Sequence, residues 1–182
     1  MGLSLADIGH LFDKHGHVAY SGEGVSQLEH ALQAAQRAED EKADDELVTA
    51  ALLHDLGHLL NLQGETPTLR GIDDQHQYFA IPFLRPLFAP AVIEPIRLHV
   101  DAKRALCAFE PDYYESLSDD SKRSLTLQGG IFARQECSTF MAKPFAADAV
   151  RVRRWDDAAK VPGLETRSLH HFLKVAARCA AS

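Results

Sequence analysis

Apolar residues return every three to four positions along most of the chain and nowhere alternate convincingly with polar ones, so the pattern predicts helices and no sheet. Leu28, Leu32 and Ala35 share one face of a segment from about Val25 to Ala38 that is rich in Ala, Gln and Glu, which predicts an amphipathic helix. Asp44 and Asp45 suit an N-cap and the positive end of a helix dipole, and a second predicted helix runs on through Leu47, Ala50, Ala51, Leu52 and Leu53 to Leu60. Being apolar nearly all round, it belongs at the centre. The glycines, proline and polar residues of Asn61–Asp73 predict a loop, followed by a helix that starts near Asp74 and is bent or ended by Pro82. Pro90 fits the first turn of another helix that passes Pro95 and carries Ile93, Ile96, Leu98, Ala102 and Leu106. Ser118 predicts the cap of a shorter helix ended by Gly129 and Gly130. Two more follow, one from Pro144 through Val150 and Trp155, the other after Thr166 with Leu169, Phe172, Leu173 and Ala176 inward. The expected architecture is an all-α bundle of about seven helices, with no internal repeat or interdomain linker.

A length of 182 residues with 46% hydrophobic composition suits one compact domain over 1–182. The net charge of −7 opposes binding to nucleic-acid backbone or an anionic membrane, so any anionic ligand must meet a local basic pocket. Cys107, Cys137 and Cys179 are odd in number and widely spaced, which suggests neither a disulfide framework nor a thiolate metal site. With no signal-like start and no long apolar run, the expected location is the cytoplasm.

Of ten histidines, His30, His54, His58, His76 and His99 fall in predicted central helices. A single histidine on a helix is more often a hydrogen-bonded core or surface residue than a ligand. The stretch Ala51-Leu52-Leu53-His54-Asp55-Leu56-Gly57-His58-Leu59-Leu60 changes that weighting, because it sets an imidazole and a carboxylate inside an apolar helix. Burying that carboxylate without a partner is costly, and a metal ion resolves the problem: imidazole donates nitrogen, and carboxylate donates oxygen and can bridge two ions. His58 lies one turn beyond His54, as a further ligand or a donor to bound substrate. His99 and Lys103 repeat the four-residue spacing and set a candidate ligand beside a cation able to take an anionic substrate.

The ordered series His30, His54-Asp55, His76, His99 and Asp156 resembles the ligand set of dinuclear His-Asp (HD) domain proteins. The chain is most similar to one branch, the mixed-valent diiron oxygenases that cleave carbon–phosphorus bonds. The stretches that carry the resemblance are Tyr20-Ser21-Gly22-Glu23, Gln27-Leu28-Glu29-His30, His54-Asp55-Leu56-Gly57-His58, Gln75-His76, His99-Val100-Asp101-Ala102-Lys103, Leu117-Ser118-Asp119-Asp120-Ser121, Leu127-Gln128-Gly129-Gly130, and Arg153-Arg154-Trp155-Asp156 with Lys160-Val161-Pro162-Gly163. The resemblance implies two iron ions, one ferrous and one ferric, with O2 as co-substrate. One iron would be held by His30, His54, Asp55 and Asp156, the other by Asp55, His76 and His99, so that Asp55 bridges. It further implies that His58, Lys103, Ser121 and Arg153 bind a phosphonate, that Glu23 faces a substrate amine, and that Tyr20 gates the site. The expected substrate is 2-amino-1-hydroxyethylphosphonate or an N-methylated analogue, giving phosphate and glycine or glycine betaine, with an upstream hydroxylase as pathway partner. Pro82 and Pro86 depart from the family pattern near His76.

Two rival readings share these residues. In an HD phosphohydrolase the same ions would activate water against a phosphate ester. In a non-catalytic HD module the site would only bind a nucleotide or partner. Tyr20, Glu23 and His58 favour the oxygenase.

Overall fold

The computed structural model describes residues 2–20, 22–62 and 67–181. Ser21 of the Tyr20–Glu23 stretch and positions 63–66 of the expected loop lie outside the described residues. In chain order the helices are α1 (Leu5–His15), α2 (Gln27–Asp40), α3 (Asp45–Leu53), α4 (Leu56–Leu60), a 3₁₀ turn (Pro67–Arg70), α5 (His76–Phe79), α6 (Ile81–Leu84), α7 (Pro90–Phe109), α8 (Tyr113–Ser116), α9 (Asp119–Leu127), α10 (Arg134–Met141), α11 (Ala146–Ala158) and α12 (Leu169–Cys179). The expected all-α class holds. Among the described residues the only β contacts are two isolated bridges, Ala19 with Ser26 and Phe88 with Ala180.

The helix starts follow local chemistry. Ser26 Oγ accepts from Glu29 N at 3.2 Å while Glu29 Oε2 accepts from Ser26 N at 2.7 Å, a reciprocal cap that opens α2. Asp44 caps α3 through Leu47 N at 2.9 Å, and Ser118 caps α9 through Ser121 N at 3.2 Å. Left-handed Gly129 and Gly130 stop α9, as expected.

Among the described residues twelve α-helical segments stand where about seven helices were expected, for three reasons. The long helix expected through Leu60 is broken at His54–Asp55 into α3 and α4. Asp55 leaves helical geometry there, with φ −105° and ψ 12°. The helix expected before Pro82 is instead two single turns, and Pro82 sits in the first turn of α6, where its missing N–H has no partner to lose. Helices α1, α8 and α10 lack the long apolar periodicity that reveals a helix in sequence.

Helix α3 is the centre of the molecule. Every residue from Leu47 to Leu53 is buried, and α2, α7, α11 and α12 pack around it. A buried leucine contributes roughly 1.5–3 kcal/mol, so α3 is held by its whole circumference. Helix α7 runs from this main core, where Val92, Ile93 and Ile96 lie, to a smaller cluster of Leu98, Ala102, Ala105, Phe132 and Phe140. His99 and Lys103 fall on α7 where the two clusters meet.

Gly57 sets how closely α4 meets α5. A Cβ there would lie 2.1 Å from the His76 carbonyl oxygen, far inside contact distance. The glycine therefore brings His58 and His76 together.

Candidate active site

Four helices and the α3–α4 break deliver one side-chain cluster. His30 comes from α2, His54 and Asp55 from the break, His76 from α5, His99 from α7 and Asp156 from α11, all buried. They form two sets whose ligand atoms lie within 4.8 Å of one another: His30, His54, Asp55 and Asp156, and Asp55, His76 and His99. Both sets coincide with the groupings expected from the sequence.

The outer nitrogens fix the tautomers. His30 Nδ1 lies 2.9 Å from Ala159 O, His54 Nδ1 2.8 Å from Ala51 O, and His99 Nδ1 2.7 Å from Ile96 O. A carbonyl only accepts, so each Nδ1 donates and each neutral ring presents a bare Nε2 lone pair inward. His76 Nδ1 is likewise met by Asp74 Oδ1 at 2.9 Å.

Inside, like faces like. His30 Nε2 and His54 Nε2 are 3.1 Å apart, and so are His76 Nε2 and His99 Nε2. Asp55 Oδ2 lies 3.4 Å from both His30 and His54, and Asp55 Oδ1 lies 3.3 Å from His76 and 3.6 Å from His99. Asp156 Oδ1 lies 3.4 Å from His30. Asp55 Oδ2 and Asp156 Oδ1 are buried without a hydrogen-bond partner. Lone pairs and carboxylates converging in this way need a cation. Ligands at about 2.1 Å from a metal and at right angles are about 3.0 Å apart, close to the spacings seen. The donor set fits a pair of transition-metal ions with Asp55 between them.

The electrostatics agree. Burial lowers the pKa of His54, but Asp55 and Asp156 outweigh it and raise the value to about 10 when protons are the only cations at hand. Burial likewise works against ionisation of Asp55 and Asp156, yet the histidines around Asp55, and Arg153 beside Asp156, hold both carboxyls well below the usual range. The cluster is built to hold positive charge.

Beside it opens a cavity walled by Tyr20, His58, Lys103, Ser121 and Arg153, with Asp55 and His99 at its floor. Lys103 is 2% exposed and donates to Ser124 Oγ at 2.8 Å. Burial and then the neighbouring Arg153 lower its pKa to about 7. Arg153 is clamped on three sides: Nε donates to the Tyr113 hydroxyl at 3.1 Å, one terminal nitrogen lies 2.7 Å from Asp156 Oδ2, and the other bonds Asp157. Arg153 also lines the cavity, so its guanidinium borders the space open to an anion. His58 Nδ1 lies 2.6 Å from Asp74 Oδ2, and its ring stacks on His76 with centroids 4.2 Å apart. Tyr20 stacks on His30 at 3.8 Å, and burial followed by Asp55 and Asp156 pushes its phenol well up.

Glu23 is placed differently from the other expected site residues. It does not wall the cavity; its carboxylate is held by Lys160 Nζ at 3.2 Å. Asp74, Ser124, Tyr113 and Asp157 were not singled out in the sequence. Of these only Asp74 left a trace there, as an acid two residues before a candidate ligand.

An all-α fold carrying two His/Asp ligand sets that share one aspartate defines an HD domain, and residues 24–128 match the HD domain family. The chain is 47% identical over 163 residues to hydroxymethylphosphonate dioxygenase from Gimesia maris, covering 89% of this chain and 81% of the relative. It is 36% identical over 171 residues to the glycine-betaine-forming [1-hydroxy-2-(trimethylamino)ethyl]phosphonate dioxygenase from Leisingera caerulea, covering 94% and 87%. The chain belongs to the HD-domain oxygenase family that contains these phosphonate dioxygenases.

Proposed function

We propose that this protein is an iron-dependent oxygenase that uses O2 to cleave the carbon–phosphorus bond of a small 1-hydroxyphosphonate. Candidates are 2-amino-1-hydroxyethylphosphonate, its N-methylated analogues, and hydroxymethylphosphonate, for which the Gimesia relative is named. The reaction balances without an added reductant: hydroxymethylphosphonate plus O2 gives formate plus phosphate, and the 2-amino compound gives glycine plus phosphate. All four electrons taken by O2 come from the substrate.

The observation that carries this reading is Asp55, which turns one oxygen to each histidine set beside a cavity walled by buried cations. His30, His54, Asp55 and Asp156 would hold one iron and Asp55, His76 and His99 the other. The bound irons, one ferrous and one ferric, would supply Lewis acidity toward substrate oxygens and a route for electrons to O2. Lys103, Arg153, Ser121 and His58 would bind and orient the phosphonate, so that C1 faces the metal cluster. Tyr20, stacked over His30, would cover the cluster until substrate displaces it. The three free cysteines are in keeping with a cytoplasmic location, and an upstream hydroxylase would supply the C1 hydroxyl.

The test is to give iron-loaded protein each 1-hydroxyphosphonate and compare phosphate release with and without O2. Oxygen-dependent release with a matching carboxylic acid is expected. Equal release in both atmospheres would overturn the proposal in favour of a phosphohydrolase.

A further inference from the structure

Arg153 borders the anion cavity and also holds Asp156: its Nη1 lies 2.7 Å from Asp156 Oδ2, which leaves Oδ1 of that carboxylate facing His30 Nε2 at 3.4 Å. How the guanidinium is turned therefore bears on two things at once. The turn is set from behind by Tyr113 and Asp157, neither of which lines the cavity. Arg153 Nε donates to the Tyr113 hydroxyl at 3.1 Å, the same hydroxyl donates to Asp157 Oδ2, and Arg153 Nη2 donates to Asp157 Oδ1.

Asp157 follows Arg153 by one helical turn on α11, the spacing at which an arginine and a carboxylate meet on one face. Left to themselves the two would pair fork to fork, with Nε and a terminal nitrogen each on one carboxylate oxygen. The Tyr113 hydroxyl takes the place of one of those bonds and stands between Nε and Oδ2. Tyr113 has little freedom to give way. It is 8% exposed, its ring packs with Leu106, Leu117 and Leu125, its N–H donates to Glu110 O at 3.2 Å, and its carbonyl accepts from Ser116 Oγ at 2.7 Å. Burial pushes its phenol well up, so the hydroxyl keeps the proton it gives to Asp157.

We infer that Tyr113 is a positioning residue: its hydroxyl, set between Arg153 and Asp157, keeps the guanidinium at an angle that serves the anion cavity and Asp156 together. Without the hydroxyl, Nε is drawn onto Asp157 and Nη1 swings off Asp156. Phosphonate binding and the hold of Asp156 on its metal then weaken together. The inference rests on the oxygenase reading above, which makes the anion a phosphonate.

The experiment uses Tyr113→Phe, which removes the hydroxyl and keeps the packed ring. The calorimetric Kd for hydroxymethylphosphonate is measured under argon at saturating iron(II), metal content after dialysis against graded chelator, and kcat and KM in oxygenated buffer. Kd and KM are expected to rise about tenfold with kcat little changed, the mark of lost uniform binding. Metal is expected to leave at about a tenth of the chelator concentration that strips the wild type. Asp157→Asn should do the same, and the double variant little more than either single one, because both act through Arg153. Asp157→Asn serves alone where Tyr113→Phe does not fold. An unmoved Kd or an unmoved metal retention overturns the inference alone, whatever the melting temperature does, and so do losses that add in the double variant. A wild type that binds no hydroxymethylphosphonate, and releases phosphate in O2 from neither it nor the 2-amino compound, overturns the oxygenase reading and the inference with it.

Discussion

Asp74 Oδ2 lies 2.6 Å from His58 Nδ1, and the same carboxylate turns its other oxygen to His76 Nδ1 at 2.9 Å. One side chain therefore orients together His58 in the cavity wall and His76 of the set that also contains Asp55 and His99. Burial works against its charge, but the hydrogen bonds from His58 and His76 hold its carboxyl well below the ordinary range, so it is ionised at any working pH.

Asp74→Asn should weaken metal retention by Asp55, His76 and His99 by about 10–100-fold, with a much smaller effect on the set containing His30. Metal content after dialysis against graded chelator measures this. Equal retention by the variant and the wild type would refute the role.

Gly57→Ala drives a methyl group onto the His76 carbonyl. Separating α4 from α5 should cost about 1–3 kcal/mol in thermal or urea melts and also lower retention of the second metal. A variant with an unchanged melt and unchanged metal content would show that the approach is not tight.

Metal affinity should rise with pH. His54 is held at about 10 in the metal-free cluster, so below that pH an incoming ion must displace a proton. Apparent affinity for manganese(II), as a probe, should climb until about pH 10. The sign for stability is opposite in the metal-free protein. The raised pKa contributes stability fully below the ordinary 6.5, and that contribution is lost as pH rises through about 10. Metal-free melts should therefore fall on going alkaline more than metal-loaded ones do.

Lys103→Met should stabilise the ligand-free protein and weaken phosphonate binding. Folding lowers the pKa of Lys103 from its ordinary 10.5 to about 7, chiefly by burial, so the unfolded chain binds more protons between those values. The penalty for burying the charge is complete below about pH 7 and vanishes above 10.5. The melting advantage of the variant should follow that curve, while its Kd for phosphonate rises roughly ten- to hundredfold. Melts that differ equally at all pH values would contradict the assignment.

What could be read in the sequence was whatever is local or costly to bury. Asp55 stood out because a carboxylate in an apolar run demands a partner, and the caps at Asp44 and Ser118 are three-residue motifs. The break at His54–Asp55 was hidden because the apolar positions on either side of it, from Leu47 to Leu60, keep a spacing that one continuous helix would also give. Helix α1 was missed because its buried face rests on just Ile8 and Phe12. Asp74 and Lys160 take their meaning from distant partners. Lys160 meets Glu23 across 137 positions, and no spacing rule joins them.

Because a single carboxylate closes both ligand sets, the two halves of the cluster are not independent containers. A cation held by one set would fix the Asp55 plane and so set the direction of its second oxygen toward the other set. Occupancy of the pair would then be positively cooperative, with half-filled molecules scarce at every metal concentration. The redox character of either ion would be felt by its neighbour through the same carboxylate.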